Sequence, residues 1–255
     1  MAYKIMIDAG HGGRDPGAVF NGRQEKDDAL RLALAVGQIL EDRGVDVEFT
    51  RTTDIYESPT QKAMKANNAG ADFFVSIHRN SFPTPNAASG AEVLVYNREG
   101  IKSEMAENVV QQLENVGFRN LGVKERPNLA VLRRTQMPAI LVEAGFINSD
   151  TDNQIFDDNF NAIAMGIADG IMDTLGISGS GVGDTVYAVQ TGAFRNPRYA
   201  QELLDELLEL DYPAFISEGN GYFRVQVGNF GTLQEATEME RRLRRDGYQT
   251  VIVTD

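Results

Sequence analysis

The chain has 255 residues, enough for one large domain or two smaller ones, since domains commonly run to roughly 100–200 residues. Its 37 Asp and Glu outnumber its 24 Lys and Arg, leaving a net charge of −13; this counts against sequence-independent binding to nucleic acid or an anionic membrane, which both rely on excess cations. With no Cys and only two His, disulfides, thiolate metal sites and cysteine nucleophiles are excluded, and a zinc site can draw only on His11, His78 and carboxylates.

The first residues run from a short apolar stretch straight into a polar, Gly-rich loop, so the sequence predicts no signal peptide. The protein is therefore expected to be made in the cytoplasm, with any action on a cell wall following release or lysis. No window approaches the roughly 20 apolar residues of a membrane span, and no membrane insertion is expected. Residues 3–7 read as a strand and 30–40 as a helix ending near Gly44. Strands follow at 45–50, 73–77 and 91–96, then a helix at 103–116, a short buried strand at 139–142 and a helix at 159–175. Strands alternating with helices predict an α/β domain, residues 1–177, with a largely parallel or mixed sheet flanked by helices.

Residues 178–183 read as a Gly/Ser linker, and every Lys precedes it, the last being Lys124. Beyond it, residues 184–255 contain an internal repeat. Gln190, Gly192 and Phe194 recur at a constant offset as Gln226, Gly228 and Phe230. Asn196 pairs with Thr232 as helix N-caps. Each copy reads strand, helix, strand, which together predict a small α+β, ferredoxin-like βαββαβ domain.

Four residues stand out in the first domain. His11 lies in the Gly-rich loop after the first strand, and Glu25 just before the first helix. His78 and Glu143 fall at the ends of the strands at 73–77 and 139–142. Ligands of open α/β sheets collect at the carboxyl ends of strands. Two His and one Glu would supply the three ligands of a zinc hydrolase, leaving a position for water, and such a site needs no side-chain nucleophile. Blander readings stand beside this one. A lone His commonly serves as a structural hydrogen-bonding residue, and Glu25 with Lys26, Asp27 and Asp28 also fits a solvated helix start. Glu143 is harder to dismiss, because a carboxylate in a buried strand is costly unless paired or metal-bound. Arg79 and Asn80, directly after His78, are candidates for substrate contact or for a plain loop surface.

Asp8-Ala-Gly-His11-Gly-Gly, Asp15-Pro-Gly17, Gln24-Glu25-Lys26, Ser76-Ile-His78-Arg79-Asn80 and Val142-Glu143-Ala-Gly-Phe146, in that order, resemble the zinc-dependent N-acetylmuramoyl-L-alanine amidases. The resemblance implies one zinc ion held by His11, Glu25 and His78, with Glu143 as catalytic acid and base. It also implies cleavage of the amide between the muramic acid lactyl group and the L-alanine of the peptidoglycan stem peptide. Phage endolysins and bacterial autolysins both fit. A non-catalytic peptidoglycan-binding protein and a zinc peptidase cutting within the stem peptide are the competing readings.

The repeated Val-Gln-x-Gly-x-Phe pattern resembles the sporulation-related repeat domain, which implies binding to glycan strands of peptidoglycan. Strand alternation predicts that Phe223, Val225 and Val227 face the core, while Tyr222, Arg224 and Gln226, with Val186, Ala188 and Gln190 in the first copy, face outward. Tyr222 then offers a flat face for a sugar, and Arg224, Gln190 and Gln226 offer hydrogen bonds. Aromatics on such a sheet also suit RNA stacking, but seven Arg against twelve Asp and Glu in this segment oppose it. The Arg241, Arg242, Arg244 and Arg245 cluster reads as a solvated helix face balanced by Glu235, Glu238 and Glu240.

Overall fold

The computed structural model describes residues 3–177, 186–219 and 221–254. The chain divides into two compact units, Met1–Ser178 and Gly179–Asp255. The linker expected at residues 178–183 lies outside the described residues.

In chain order the first unit contains β1 (Lys4–Ala9), a hairpin of β2 (Val19–Phe20) and β3 (Arg23–Gln24), α1 (Glu25–Asp42), β4 (Asp46–Phe49), α2 (Pro59–Ala69), β5 (Phe73–Asn80), β6 (Ala91–Val95), α3 (Ile101–Val116), β7 (Asn120–Glu125), α4 (Ala130–Arg134), β8 (Ala139–Phe146), α5 (Asp150–Asp158) and α6 (Phe160–Leu175). Its six-stranded sheet has the order β4-β1-β5-β8-β6-β7. All neighbours are parallel except β6 and β8, so the sheet is mixed but mostly parallel. The strands read as near-continuous apolar runs because both faces are covered. Met6, Phe74, Leu94 and Leu141 bury one face beneath Ala66 of α2 and Val131 and Leu132 of α4. Helices α1, α3 and α6 pack together against the other face.

Several boundaries differ from the sequence reading in ways that matter. Strands β5 and β8 run on to Asn80 and Phe146, so His78 and Glu143 sit within strands rather than at their ends. Helix α1 begins at Glu25, which is buried in its first turn rather than solvated ahead of it. Helix α2 escapes a periodicity reading because it buries only Lys62, Ala63 and Ala66, although its Ser58–Gln61 capping box is a readable start signal. Strand β7, with a single buried residue, and the short α4 likewise lack strong patterns.

The second unit runs β9 (Tyr187–Phe194), α7 (Pro197–Glu209), β10 (Ala214–Gly219), β11 (Tyr222–Phe230), α8 (Leu233–Arg245) and β12 (Val251–Thr254). Its sheet is antiparallel with the order β10-β11-β9-β12, the ferredoxin-like arrangement. Asn196 and Thr232 cap α7 and α8 by accepting the backbone N–H of Arg198 and Glu235. A bulge shifts the β9–β11 register so that Gly192 lies opposite Val225 and Gln190 opposite Gln226.

Candidate active site

The strand β1 ends at Ala9 and the chain turns sharply, with His11 itself at φ +58° and Gly12, Gly13 and Gly17 also at positive φ. This turn brings His11 over Glu25 of α1 and His78 of β5. One atom from each of the three lies within 4.8 Å of the others. His11 Nε2 is 3.1 Å from Glu25 Oε2 and His78 Nδ1 is 2.8 Å from Glu25 Oε1. The two imidazoles meet edge to face, with centroids 4.9 Å apart.

His11 and Glu25 are each held from behind. Asp15 Oδ2 lies 2.9 Å from His11 Nδ1, which leaves Nε2 for an ion. Glu25 Oε2 accepts the Ala18 N–H at 2.9 Å and Oε1 accepts the Arg79 N–H at 3.2 Å. Space is tight enough to require glycine twice. A Cβ on Gly10 would stand 2.5 Å from the His78 ring, and one on Gly17 would stand 2.6 Å from both Glu25 and His11. Burial pushes the Glu25 carboxyl up, but bonds from His11 and His78 outweigh it and hold the group well below the usual carboxylate range. Burial pushes His11 down, and its contacts with Glu25 and Asp15 more than reverse this, raising it above the ordinary imidazole value. Two nitrogens and one carboxylate at this spacing fit a zinc ion with an open position.

Glu143 lies beside this trio. Its Cα partner in β5 is His78 and in β6 is Glu92, so the three side chains form one row across the sheet. Glu143 Oε2 is buried without a hydrogen-bond partner among the described residues. Burial first, then Glu25 and Glu92, raise its carboxyl well above the usual range. A carboxyl poised to exchange a proton is what acid–base work requires. Glu92 carries the same sequence signal as Glu143, a carboxylate inside an apolar run, and the sequence reading missed it. It accepts the Asn80 amide at 3.0 Å and pairs with Lys124.

The structure corrects the reading of Arg79 as a substrate contact. Its guanidinium is fully buried, bonded to Asp28 at 2.7 Å and Asn153 at 2.8 Å, and lies 4.0 Å over the Phe156 ring. Burial pushes it down to about 10 against the opposing pull of Asp28. Arg79 therefore braces α1 and α5 rather than meeting a ligand. Asn80 is half-buried, and its amide is engaged at both ends, by Glu92 and by the Ser81 N–H.

In the second unit Ala188 and Gln226, expected to be exposed, are buried at 2% and 3%. They lie on the two central strands, where cross-strand neighbours wall them in: Phe215 and Gln190 flank Gln226, and Val253 lies opposite Ala188. Gln226 Oε1 has no partner among the described residues, and Gln190 beside it is half-buried. Tyr222 is half-buried, with the Arg195 guanidinium 5.3 Å from its ring centre. Arg224 donates to the Gly219 carbonyl at 2.9 Å. Of the Arg cluster, Arg244 pairs with Glu240 at 3.0 Å, and Arg242 lies over Tyr212.

An α/β sheet whose His78 and Glu143 are joined by His11 from a turn and Glu25 from a helix start has the make-up of a hydrolase that works through a divalent ion. The N-acetylmuramoyl-L-alanine amidase family matches residues 5–173, and the SPOR domain family matches residues 183–254. The chain is 39% identical over 209 residues to a sporulation-specific N-acetylmuramoyl-L-alanine amidase of Bacillus subtilis, covering 78% of each chain. It is 36% identical over 187 residues to an endolysin of Bacillus phage SPP1, covering 69% of this chain and 68% of the other. Among solved structures it is similar to an N-acetylmuramoyl-L-alanine amidase of Clostridium difficile, with a TM-score of 0.64 and 35% identity over 70% of this chain and 99% of that one. This chain belongs to the N-acetylmuramoyl-L-alanine amidase family, and its enzymatic class is that of a peptidoglycan amidase.

Proposed function

We propose that the first unit is a zinc amidase in which His11, Glu25 and His78 hold the ion and Glu143 moves the protons. The observation that carries this reading is the convergence of His11, Glu25 and His78 within 4.8 Å, with Glu143 next in register on the neighbouring strand. When bound, zinc supplies Lewis-acid polarisation of the lactyl carbonyl and a lowered pKa for water. Glu143 accepts the proton of the attacking water and returns it to the nitrogen of L-alanine as the C–N bond breaks, leaving a lactyl carboxylate and a free amine. Asp15 fixes the tautomer and orientation of His11.

In the same reading the second unit binds glycan strands through its sheet, with Gln190, Tyr222, Arg224 and Gln226 as the contacts. The half-buried Tyr222 and Gln190 support it, since a ring face and a side-chain amide at a sheet surface suit a sugar. The place of action is the cell wall, reached after release or lysis.

Digestion of purified peptidoglycan, with and without a chelator, tests the chemistry by mass spectrometry of the new ends. Free L-alanine amines on intact stem peptides, formed only without chelator, are expected. Cuts between stem residues would replace this reading with a peptidase, and absence of any cleavage would favour a binding protein.

A further inference from the structure

Beneath the loop that carries His11, two buried cations face three consecutive backbone carbonyls. Arg51 donates from Nε to the Ala9 carbonyl at 3.1 Å and from Nη2 to the Gly10 carbonyl at 2.7 Å. Lys62 Nζ donates to the Ala9 carbonyl and, at 3.2 Å, to the His11 carbonyl, while pairing with Asp8 at 2.9 Å. Arg51 Nη2 also reaches the Lys26 carbonyl at 2.8 Å, next to Glu25. Lys62 and Arg51 are 3% and 2% exposed. Asp8 in turn accepts from Thr50 at 2.7 Å and Ser76 at 2.6 Å.

Electrostatics alone argues against this arrangement. A positive charge beside a site for a dication repels the ion, more strongly in a buried setting than in water. Geometry supplies the compensating gain. His11 is held at φ +58°, a conformation that costs a non-glycine residue energy and persists only when its surroundings impose it. With the carbonyls of Ala9, Gly10 and His11 captured by cations, the imidazole of His11 is presented to Glu25 and His78.

We propose that Lys62 is a positioning residue of the metal centre, clamping the His11 backbone in its left-handed turn through Asp8 and the carbonyls of Ala9 and His11. The proposal rests on the reading of His11, Glu25 and His78 as zinc ligands. The Coulombic and geometric roles predict opposite signs. If Lys62 acted only as a charge, its neutralisation would tighten zinc binding; as a clamp, its loss loosens it.

The test is zinc affinity, measured on the full chain by competition with a chromophoric chelator, together with the absorption spectrum of the cobalt-substituted protein. Wild-type protein is measured first; failure to bind one zinc ion would overturn the ligand reading itself. Lys62→Met leaves Asp8 unpaired and is prone to destabilise the fold, so Asp8→Asn/Lys62→Met, which removes both charges together, decides the matter. The folded double variant is expected to bind zinc roughly 10–100-fold more weakly, the range seen when groups behind a ligand are lost, and to show an altered cobalt spectrum. Lys62→Arg, which keeps the cation, is expected to stay near wild type. Unchanged or tighter zinc binding in either Met variant, with wild type binding normally, would overturn the proposal.

Discussion

The two units set their candidate residues in rows on sheets of opposite character. In the first, His78, Glu143 and Glu92 lie side by side across β5, β8 and β6, in a sheet covered by helices on both faces. In the second, Phe215, Gln226, Gln190 and Val251 lie side by side across β10, β11, β9 and β12, in a sheet whose two helices are α7 and α8. A doubly covered sheet can expose chemistry only where strands give way to loops, so its site must be completed by His11 from a turn and Glu25 from a helix start. A ferredoxin-like sheet backed on one side can carry recognition on the face itself. The first arrangement permits burial, perturbed proton affinities and a rigid ligand set; the second permits a broad contact with a long polymer.

This contrast implies that damage in the first unit stops chemistry and damage in the second weakens attachment. The largest effect is expected from metal removal: chelation, or His78→Ala, abolishes release of L-alanine amines from peptidoglycan, and zinc restores activity to the chelated wild type but not to the variant. Next, Glu143→Gln is expected to lower kcat by roughly 10²–10⁴-fold while zinc content measured by mass spectrometry stays at one per chain, because the general acid–base group is lost and the ligands are not. Full activity in that variant would remove Glu143 from the reaction. A smaller effect is expected for Gly10→Ala, whose Cβ meets the His78 ring at 2.5 Å. Zinc affinity by competition titration should fall about tenfold or more, with circular dichroism unchanged, because the ring is displaced rather than deleted. The smallest belongs to the second unit. Tyr222→Ala should weaken sedimentation with glycan strands about two- to tenfold, the worth of one aromatic contact, while turnover of a small soluble muropeptide stays at the wild-type rate. Equal loss on both substrates would erase the distinction between the units.

Burial of the pair Arg79–Asp28 provides a check on the corrected role of Arg79. Arg79→Met leaves Asp28 without one partner in the interior and is expected to cost about 3–5 kcal/mol of stability in denaturant unfolding. A substrate-contact role would instead raise KM at unchanged stability.

Residue order alone carried much of this. The scarcity of His and absence of Cys confined any metal site to His11, His78 and carboxylates, and the repeat of Gln190, Gly192 and Phe194 as Gln226, Gly228 and Phe230 announced the second unit. Apolar runs located the central strands because full burial leaves few other choices. The helix α2 and edge strand β7 were illegible because their stabilising contacts are made by Ala, a buried Lys62 stem and partner strands, not by a periodic apolar face.

Other features were decided only by the folded chain. Arg79 beside His78 and Gln226 in an alternating strand have sequence contexts that suit exposure, yet both are buried, because packing across α5 and across neighbouring strands is set by residues distant in sequence. The same holds for Lys62 under His11, 51 positions away, and for Glu92 opposite Glu143. Composition and local pattern determine which donors exist and which segments are strands; the register of strands and the turn after β1 determine which donors meet, since electrostatic and hydrogen-bond energies depend on separations of a few ångströms that no linear spacing records.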